Sequence, residues 1–383
     1  MCGIVANVDE DVGLDRRELL SMREAMQFRG PDAAGCCLHR NVALAHRRLS
    51  IRDVARGAQP WLSEDRQCVL VYNGEIYNDD ELRCKLTALG HRFRSRCDTE
   101  VVMAAYLQWG GDCVRRLRGM FAFGIYDFRD DRLFLARDRF GIKPLFLAEI
   151  DGRLVFASSL PALLKHPRIS KAPKLPAISH YLTTFRITLG RETVFSGIWQ
   201  LMPAEVLHWC SGKTRVEKYW NYPDDEDHSF DFADAAEQLR CGLEDSVQCR
   251  LISDVPVGMF MSGVVDSNTL ACLVREVTLK RLIGQCCGGD DDRSGDFSHA
   301  KRCAEHVQFD FDEVRVSPDE FLQCWQWMIR QYATPLSTPT DVILYRLARQ
   351  MKQSVGVVLG GKGADELLCG YAVQHWAGND FDR

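Results

Sequence analysis

Cys2 stands second in the chain and is followed by Gly3. A small residue behind the initiator favours removal of Met1, which would place a thiol and a free α-amine on the same residue. An α-amine titrates near about 7.7–8.0, so it takes up a thiol proton close to neutral pH, directly or through a water. The plain alternative is that Cys2 merely begins an apolar strand, Cys-Gly-Ile-Val-Ala. A second chemical feature lies far downstream. Ser262-Gly263-Val264-Val265-Asp266-Ser267 follows an apolar run and precedes a helical one, a context in which a loop offers backbone N–H groups to phosphate. Alone this is a weak signal; the second Gly-rich loop, Leu359-Gly-Gly-Lys-Gly-Ala-Asp-Glu366, strengthens it.

Elements of two kinds must position these groups. Up to about residue 205 the chain is dense in short β-type runs. Cys68–Tyr72 ends at Asn73-Gly74, Met120–Asp127 turns through Arg129-Asp-Asp131 into Arg132–Arg137, and Leu145–Ile150 turns through Asp151-Gly152 into Leu154–Ala157. These read as antiparallel hairpins, interrupted by helical periodicity at Arg16–Met26 and Asp80–Leu89. After a polar, acidic stretch at 223–227, apolar residues at Phe232, Ala236, Leu239, Leu243 and Val247 predict an amphipathic helix. The remainder alternates strand, loop and helix: an apolar run at Val255–Met261, helices at Asn268–Val277, Phe297–His306, Phe321–Tyr332 and Asp341–Lys352, and extended runs at Phe309–Val316 and Val355–Leu359. That alternation predicts a parallel sheet with ligands at the carboxyl ends of its strands.

Composition narrows the function classes. A chain of 383 residues, 46% hydrophobic and 26% charged, has material for two cores. A net charge of −5 without dense Lys/Arg runs argues against nucleic acid or an anionic membrane as partner. Apolar runs are strand-length, far short of the ~20 residues of a membrane span. The 16 cysteines show no Cys-x-x-Cys spacing, so neither a zinc site nor a disulfide framework is expected. The N-terminus lacks a signal peptide's basic start, and a cytoplasmic location is expected.

Cys2 keeps company that changes its reading. Phe28-Arg29-Gly30-Pro31-Asp32, Ala45-His46-Arg47-Arg48-Leu49-Ser50-Ile51, Asn73-Gly74-Glu75-Ile76-Tyr77-Asn78 and Asp98-Thr99-Glu100 follow it in that order. Together they resemble the class II glutamine amidotransferases, N-terminal-nucleophile enzymes that begin Cys-Gly-Ile. The resemblance implies that Cys2 attacks the glutamine amide while Asn73 and Gly74 stabilise the oxyanion. It also implies that Arg48 holds the substrate carboxylate, that Asp98 takes its ammonium, and that Leu49, Ser50, Ile51, Arg52 and Glu75 complete the glutamine pocket. Phe28, where the family has His, and Cys97 are departures expected to alter the pocket wall.

The two Gly-rich loops, with Ser253-Asp-Val-Pro-Val-Gly258 and the first-domain stretch Ala136-Arg-Asp-Arg-Phe-Gly-Ile-Lys-Pro-Leu145, resemble asparagine synthetase over essentially the whole chain. The implied architecture is an α+β amidotransferase domain at 2–205, with stacked antiparallel sheets and helices, and a linker at 206–230. An α/β parallel-sheet ATP-pyrophosphatase domain follows at 231–383, incomplete at its C-terminus. The resemblance further implies that Ser262, Gly263, Asp266, Ser267, Gly360 and Gly361 hold ATP, with Phe260 and Cys287 near the adenosine and Asp266 and Asp365 facing Mg²⁺. Glutamine and aspartate, or another carboxylate acceptor, would be the substrates, and a homodimer is possible. Val264 replaces a loop glycine and is expected to lose positive-φ freedom. Lys362 replaces an acidic residue, Gly360 a serine, and Ala333-Thr334-Pro335 an Asp-Glu-Pro. These departures keep two alternatives open: a glutaminase-type amidotransferase with a degenerate ligase half, and a silent nucleotide-binding partner protein.

Overall fold

The computed structural model describes residues 1–9, 15–39, 41–187, 189–223, 229, 231–289, 295–368 and 370. These fall into two compact units, Met1–Glu226 with Trp327–Thr338, and Asp227–Gln326 with Pro339–Arg383.

The first unit carries β1 (Gly3–Val8), α1 (Arg16–Glu24), β2 (Ala33–His39), β3 (Val42–Arg48), β4 (Trp61–Leu62), β5 (Cys68–Ile76), α2 (Asp79–Ala88), α3 (Asp98–Trp109), α4 (Cys113–Arg116) and β6 (Gly119–Asp127). It continues with β7 (Arg132–Arg137), β8 (Phe146–Ile150), β9 (Arg153–Ala157), α5 (Leu160–Leu163), α6 (Leu175–Thr184), β10 (Trp199–Gln200), β11 (Glu205–Cys210) and β12 (Lys213–Lys218). The strands form two six-stranded sheets, ordered β10-β8-β9-β1-β3-β2 and β12-β11-β7-β6-β5-β4. Every pairing in them is antiparallel.

Period-two alternation explains the layering. In β1, Ile4, Ala6 and Val8 enter the core between the sheets, with Val69 and Val71 of β5 and Leu133 and Leu135 of β7. Val5 faces the other way, onto Leu19, Met22, Ala162 and Leu163 from α1 and α5. Leu70, Tyr72 and Ile76 of β5 likewise turn outward against Leu82, Leu86 and Val101 of α2 and α3. With both faces covered, β1 and β3 are buried along their whole length. The β8–β9 hairpin turns through Asp151 (φ 50°) and Gly152 (φ 80°), the two consecutive positive values that a tight two-residue hairpin turn demands.

The second unit carries α7 (Phe232–Arg250), β13 (Val257–Phe260), α8 (Val265–Val277), β14 (Ile283–Gly288), α9 (Asp296–Val307), β15 (Asp310–Arg315), the start of α10 (Pro318–Tyr332), α11 (Thr340–Met351), β16 (Val357–Leu359) and α12 (Ala364–Leu368). Its sheet, ordered β15-β14-β13-β16, is parallel throughout. The chain runs outward from β13 to β14 and β15, then returns to place β16 on the other side of β13. The carboxyl ends of β13 and β16 therefore flank a topological switch point, where open parallel sheets bind ligands.

The expected architecture of stacked antiparallel sheets followed by a parallel-sheet unit is what the fold shows. Three features differ in detail. Residues 205–218, mostly assigned to a linker, form the β11–β12 hairpin at the edge of a sheet, with Leu207 and Trp209 buried in the inter-sheet core. The acidic residues 224–228 lie outside the described residues. β14, of sequence Ile-Gly-Gln-Cys-Cys-Gly, has two glycines and no alternation to announce it, yet it is a central strand. Helix α7 forms as expected, but Phe232 at its start is 89% exposed and Val247 alone of its predicted apolar stripe is fully buried. No helix among the described residues is long and apolar enough to cross a membrane.

Candidate functional site

Cys2 immediately precedes β1, and the β1–β3 register places Gly3 opposite Arg47, so the turn after β3 wraps the thiol. The Cys2 sulfur accepts from the Leu49 N–H at 3.4 Å and lies 3.7 Å from the Leu49 carbonyl. The Cys2 carbonyl accepts from Arg29 Nε at 3.1 Å. Burial pushes the thiol above its ordinary range, while the Leu49 N–H, the chain's amino terminus and the Lys143 ammonium oppose that shift and the Glu75 carboxyl adds to it.

By alternation from Val69 and Val71, Asn73 and Glu75 lie on the inter-sheet face of β5, the face that Cys2 shares by alternation from Ile4. The β5–β6 register is uninterrupted through this stretch. Asn73 is 1% exposed, and its amide Nδ2 has no hydrogen-bond partner among the described residues. At Gly74, a Cβ would fall against the Met120 carbonyl and 2.7 Å from the Tyr72 ring, so only glycine fits. His46 bridges the sheets here, its Nε2 lying 3.2 Å from the Tyr72 carbonyl. Burial pushes the His46 ring down to about 3, which makes it a neutral strut.

Arg48 ends β3 and spends three hydrogen bonds on backbone carbonyls: Nη1 on Val54 at 2.8 Å, and Nη2 on Arg52 at 3.0 Å and Asp53 at 2.9 Å. A guanidinium has about five donors, so Nε and one Nη1 proton are left unspent among the described residues. Gly57 makes room for this packing, since a Cβ there would strike Arg48 Nη2. Asp98, buried at the start of α3, accepts at Oδ2 from the Tyr72 hydroxyl at 2.7 Å and from Ile76 N–H at 3.0 Å. Burial raises both Asp98 and Glu75, Asp98 against the Tyr72 hydroxyl and the Arg52 guanidinium, and Glu75 together with the Asp98 charge and against Arg52 and Lys143. The Arg52 guanidinium is forked onto Asp79 at 3.0 and 2.8 Å, pinning this loop to the start of α2. Leu49 contributes backbone, and Ser50 N–H is held by Asp32 Oδ2 at 2.7 Å. Phe28 packs edge-on against Tyr332, with ring centroids 5.8 Å apart.

Sequence reasoning gave no role to Lys143. It is 5% exposed, and its charge bears on both Cys2 and Glu75. The stretch from Ala136 to Leu145 carried the signal, as a family pattern without an assigned function.

In the second unit, Ser262 and Gly263 follow β13, and Asp266 and Ser267 lie in the first turn of α8. The two hydroxyls bond each other at 2.8 Å, and Ser267 Oγ accepts from Ser262 N–H at 3.2 Å. Gly263 N–H donates to Asp296 Oδ1 at 3.0 Å. Gly361 lies against Asp266 and Ser267, and Gly360 against the Phe260 ring. Phe260 ends β13, and Cys287 is the penultimate residue of the adjacent β14. Asp365 stands in the first turn of α12, four residues beyond Gly361. The parallel sheet thus gathers both predicted loops at its switch point. Val264 departs from expectation: its φ is −92°, extended backbone that a β-branched residue adopts freely, and its side chain is 54% exposed. Among the described residues no group of three or more His, Cys, Asp or Glu could hold a metal ion.

Residues 1–220 match the glutamine amidotransferase domain family, and the chain belongs to it. Residues 238–382 match the asparagine synthase family. Among curated proteins, asparagine synthetase (glutamine-hydrolyzing) 3 of Bacillus subtilis strain 168 is 33% identical, over 98% of this chain and 64% of that protein. Asparagine synthetase (glutamine-hydrolyzing) 1 of the same strain is 32% identical, over 97% of this chain and 59% of that protein. Asparagine synthetase B (glutamine-hydrolyzing) of Escherichia coli K12 is 30% identical, over 99% and 66%. The chain therefore spans between 59% and 66% of the length of these relatives.

Proposed function

We propose that the chain is an ATP-dependent, glutamine-hydrolysing ligase that converts aspartate to asparagine. The Asn73 amide carries the reading: a buried donor with no partner, on the strand face shared with the nucleophile, is an oxyanion donor awaiting its acceptor. The Cys2 thiolate attacks the side-chain amide carbon of glutamine. Charge gathers on the amide oxygen, which accepts hydrogen bonds from Asn73 Nδ2 and the Gly74 N–H. Collapse expels ammonia, protonated by the terminal amine that took the thiol proton, and leaves a thioester; water hydrolyses it to glutamate and restores the thiol. The two remaining donors of Arg48 hold the α-carboxylate. Asp98 holds the α-ammonium, a cation that restores the charge burial disfavours.

In the second unit, Ser262, Gly263, Ser267, Gly360 and Gly361 take the phosphates of ATP, and the ends of β13 and β14 take the adenosine through Phe260 and Cys287. The aspartate side-chain carboxylate displaces pyrophosphate from the α-phosphorus, and ammonia then displaces AMP from the acyl carbon. Asp266 and Asp365 supply hard oxygen donors, which suits Mg²⁺, an ion that takes one or two carboxylates and completes its shell with water and phosphate. When bound, that ion neutralises phosphate charge.

The test measures glutamate and pyrophosphate together in the full chain, with and without aspartate, ATP and Mg²⁺. Glutamate release that requires Cys2 and pyrophosphate release that requires aspartate are expected. A Cys2→Ala protein that hydrolyses glutamine at the parent rate overturns the first half, and absence of pyrophosphate with saturating ammonium overturns the second.

A further inference from the structure

Two charged side chains in the amidotransferase site are left without partners. The Glu75 carboxyl makes no hydrogen bond or ion pair with any described residue, and the same holds for the Lys143 ammonium. Lys143 is the stranger case, because an ammonium on a side chain 5% exposed normally finds a carboxylate.

The backbone beneath Lys143 is caged. Asp138 accepts four backbone N–H groups: Phe140 at 3.1 Å and Ile142 at 3.0 Å on Oδ1, Phe121 at 3.1 Å and Lys143 at 3.0 Å on Oδ2. The Arg137 guanidinium takes the Lys143 carbonyl at 2.8 Å and the Gly141 carbonyl at 2.7 Å, and also bonds the Leu201 carbonyl. Gly141 supplies the positive φ, 66°, that lets the loop close on this clamp. A loop held from both sides by buried charges keeps its lysine from swinging out to water. Burial and the Arg29 charge push the Lys143 ammonium down, while Glu75, Cys2 and Asp138 act to hold its charge. Asp138 is committed to the backbone, and Arg29 donates from Nε to the Cys2 carbonyl. The charged groups facing the sulfur are the amino terminus, Glu75, Lys143 and Arg29.

We propose that Lys143 is a positioning residue of the amidotransferase site, a caged cation that stabilises the anionic Cys2 sulfur. The proposal rests on Cys2 as the nucleophile. It predicts that neutralising Lys143 moves thiol reactivity to higher pH, whereas a retained positive charge preserves it.

The experiment alkylates the full chain with iodoacetamide across the thiol range, about pH 5 to 10, and reads the Cys2 peptide by mass spectrometry, since 16 cysteines are present. Lys143→Met and Lys143→Gln are expected to alkylate at neutral pH about 3- to 10-fold more slowly, the scale of losing one nearby, partly screened unit charge. Lys143→Arg is expected to restore the parent profile, and circular dichroism reports which variants are folded. Parent-like profiles in a folded Met or Gln variant overturn the proposal, as does an Arg variant as slow as they are. Glutamate release by the parent is measured alongside. Its absence refutes the catalytic reading of Cys2, while the alkylation profiles still decide the role of Lys143.

Discussion

Replacing Asn73 by Leu separates catalysis from stability at one position. The amide Nδ2 is buried without a partner, and an unsatisfied buried donor costs about 1–3 kcal/mol. Leucine keeps the branched shape of asparagine with bulkier methyl groups in place of the amide, so the substitution removes that cost without opening a cavity. The thermal transition of the first unit should hold or rise, by about 2–4 °C for each kcal/mol recovered. Glutamine hydrolysis should move the other way. Loss of one oxyanion donor lowers kcat about 10²- to 10³-fold, or about 2.7–4 kcal/mol of transition-state stabilisation. KM should change little, because the donor engages the oxygen as charge develops rather than in the bound ground state. Glutamate release under saturating glutamine gives kcat, and calorimetry of the unliganded protein gives the transition. Hydrolysis within tenfold of the parent, or a transition lowered by more than a few degrees, would refute the reasoning, since either shows that Nδ2 already has its work in the resting fold.

Three further outcomes are expected. Gly74→Ala drives a Cβ against the Met120 carbonyl and to 2.7 Å from the Tyr72 ring, so the first unit should lose about 1–3 kcal/mol and glutamine hydrolysis with it, read by chemical denaturation and glutamate release. Arg52→Ala leaves the buried Asp79 carboxylate without its fork; denaturation should show a loss of about 3–5 kcal/mol, and the double variant Arg52→Met, Asp79→Leu should recover most of it. Burial raises Glu75 in the folded state, so its stabilising contribution is complete below the ordinary carboxylate range and is lost as pH rises from there towards the raised value. Thermal scans from acid to mildly alkaline pH should therefore show a fall that Glu75→Gln flattens; an unchanged slope in that variant assigns the fall to other groups.

Much of the first unit was legible because short-range physics writes it. The β8–β9 turn needs positive φ at two consecutive residues, and Asp151-Gly152 supplies them. The β6–β7 hairpin alternates between two covered faces, and Arg132–Arg137 appears at the expected bounds. The β11–β12 hairpin was missed because its outer strand alternates charged and small residues, Lys-Thr-Arg-Val-Glu-Lys, as an edge strand does. The site was legible in its residue types but not in their commitments. Nothing local to Arg48 says that three of its donors are spent on carbonyls 4 to 6 residues ahead, or that Arg52 turns away onto Asp79. Lys143 was invisible as a site residue because its burial depends on a clamp built from Asp138, Arg137 and a strand at Phe121.

The two units treat their polar groups in opposite ways, and that bears on what each needs in order to work. Around Cys2 the fold leaves donors and charges unspent: the Asn73 amide, the Glu75 carboxyl and the Lys143 ammonium, all held by strands and clamps that cannot relax to satisfy them. Such a site is organised before glutamine arrives. At the β13–β16 switch point the loop satisfies itself, the Ser262 and Ser267 hydroxyls bonding each other and Gly263 N–H bonding Asp296. A phosphate entering there must displace the Asp296 carboxylate from the amide and repels it while doing so, a penalty that a divalent cation between them would relieve. With Val264 in unstrained extended backbone, what stands in the way of the proposed nucleotide site is the carboxylate of Asp296 rather than the missing loop glycine.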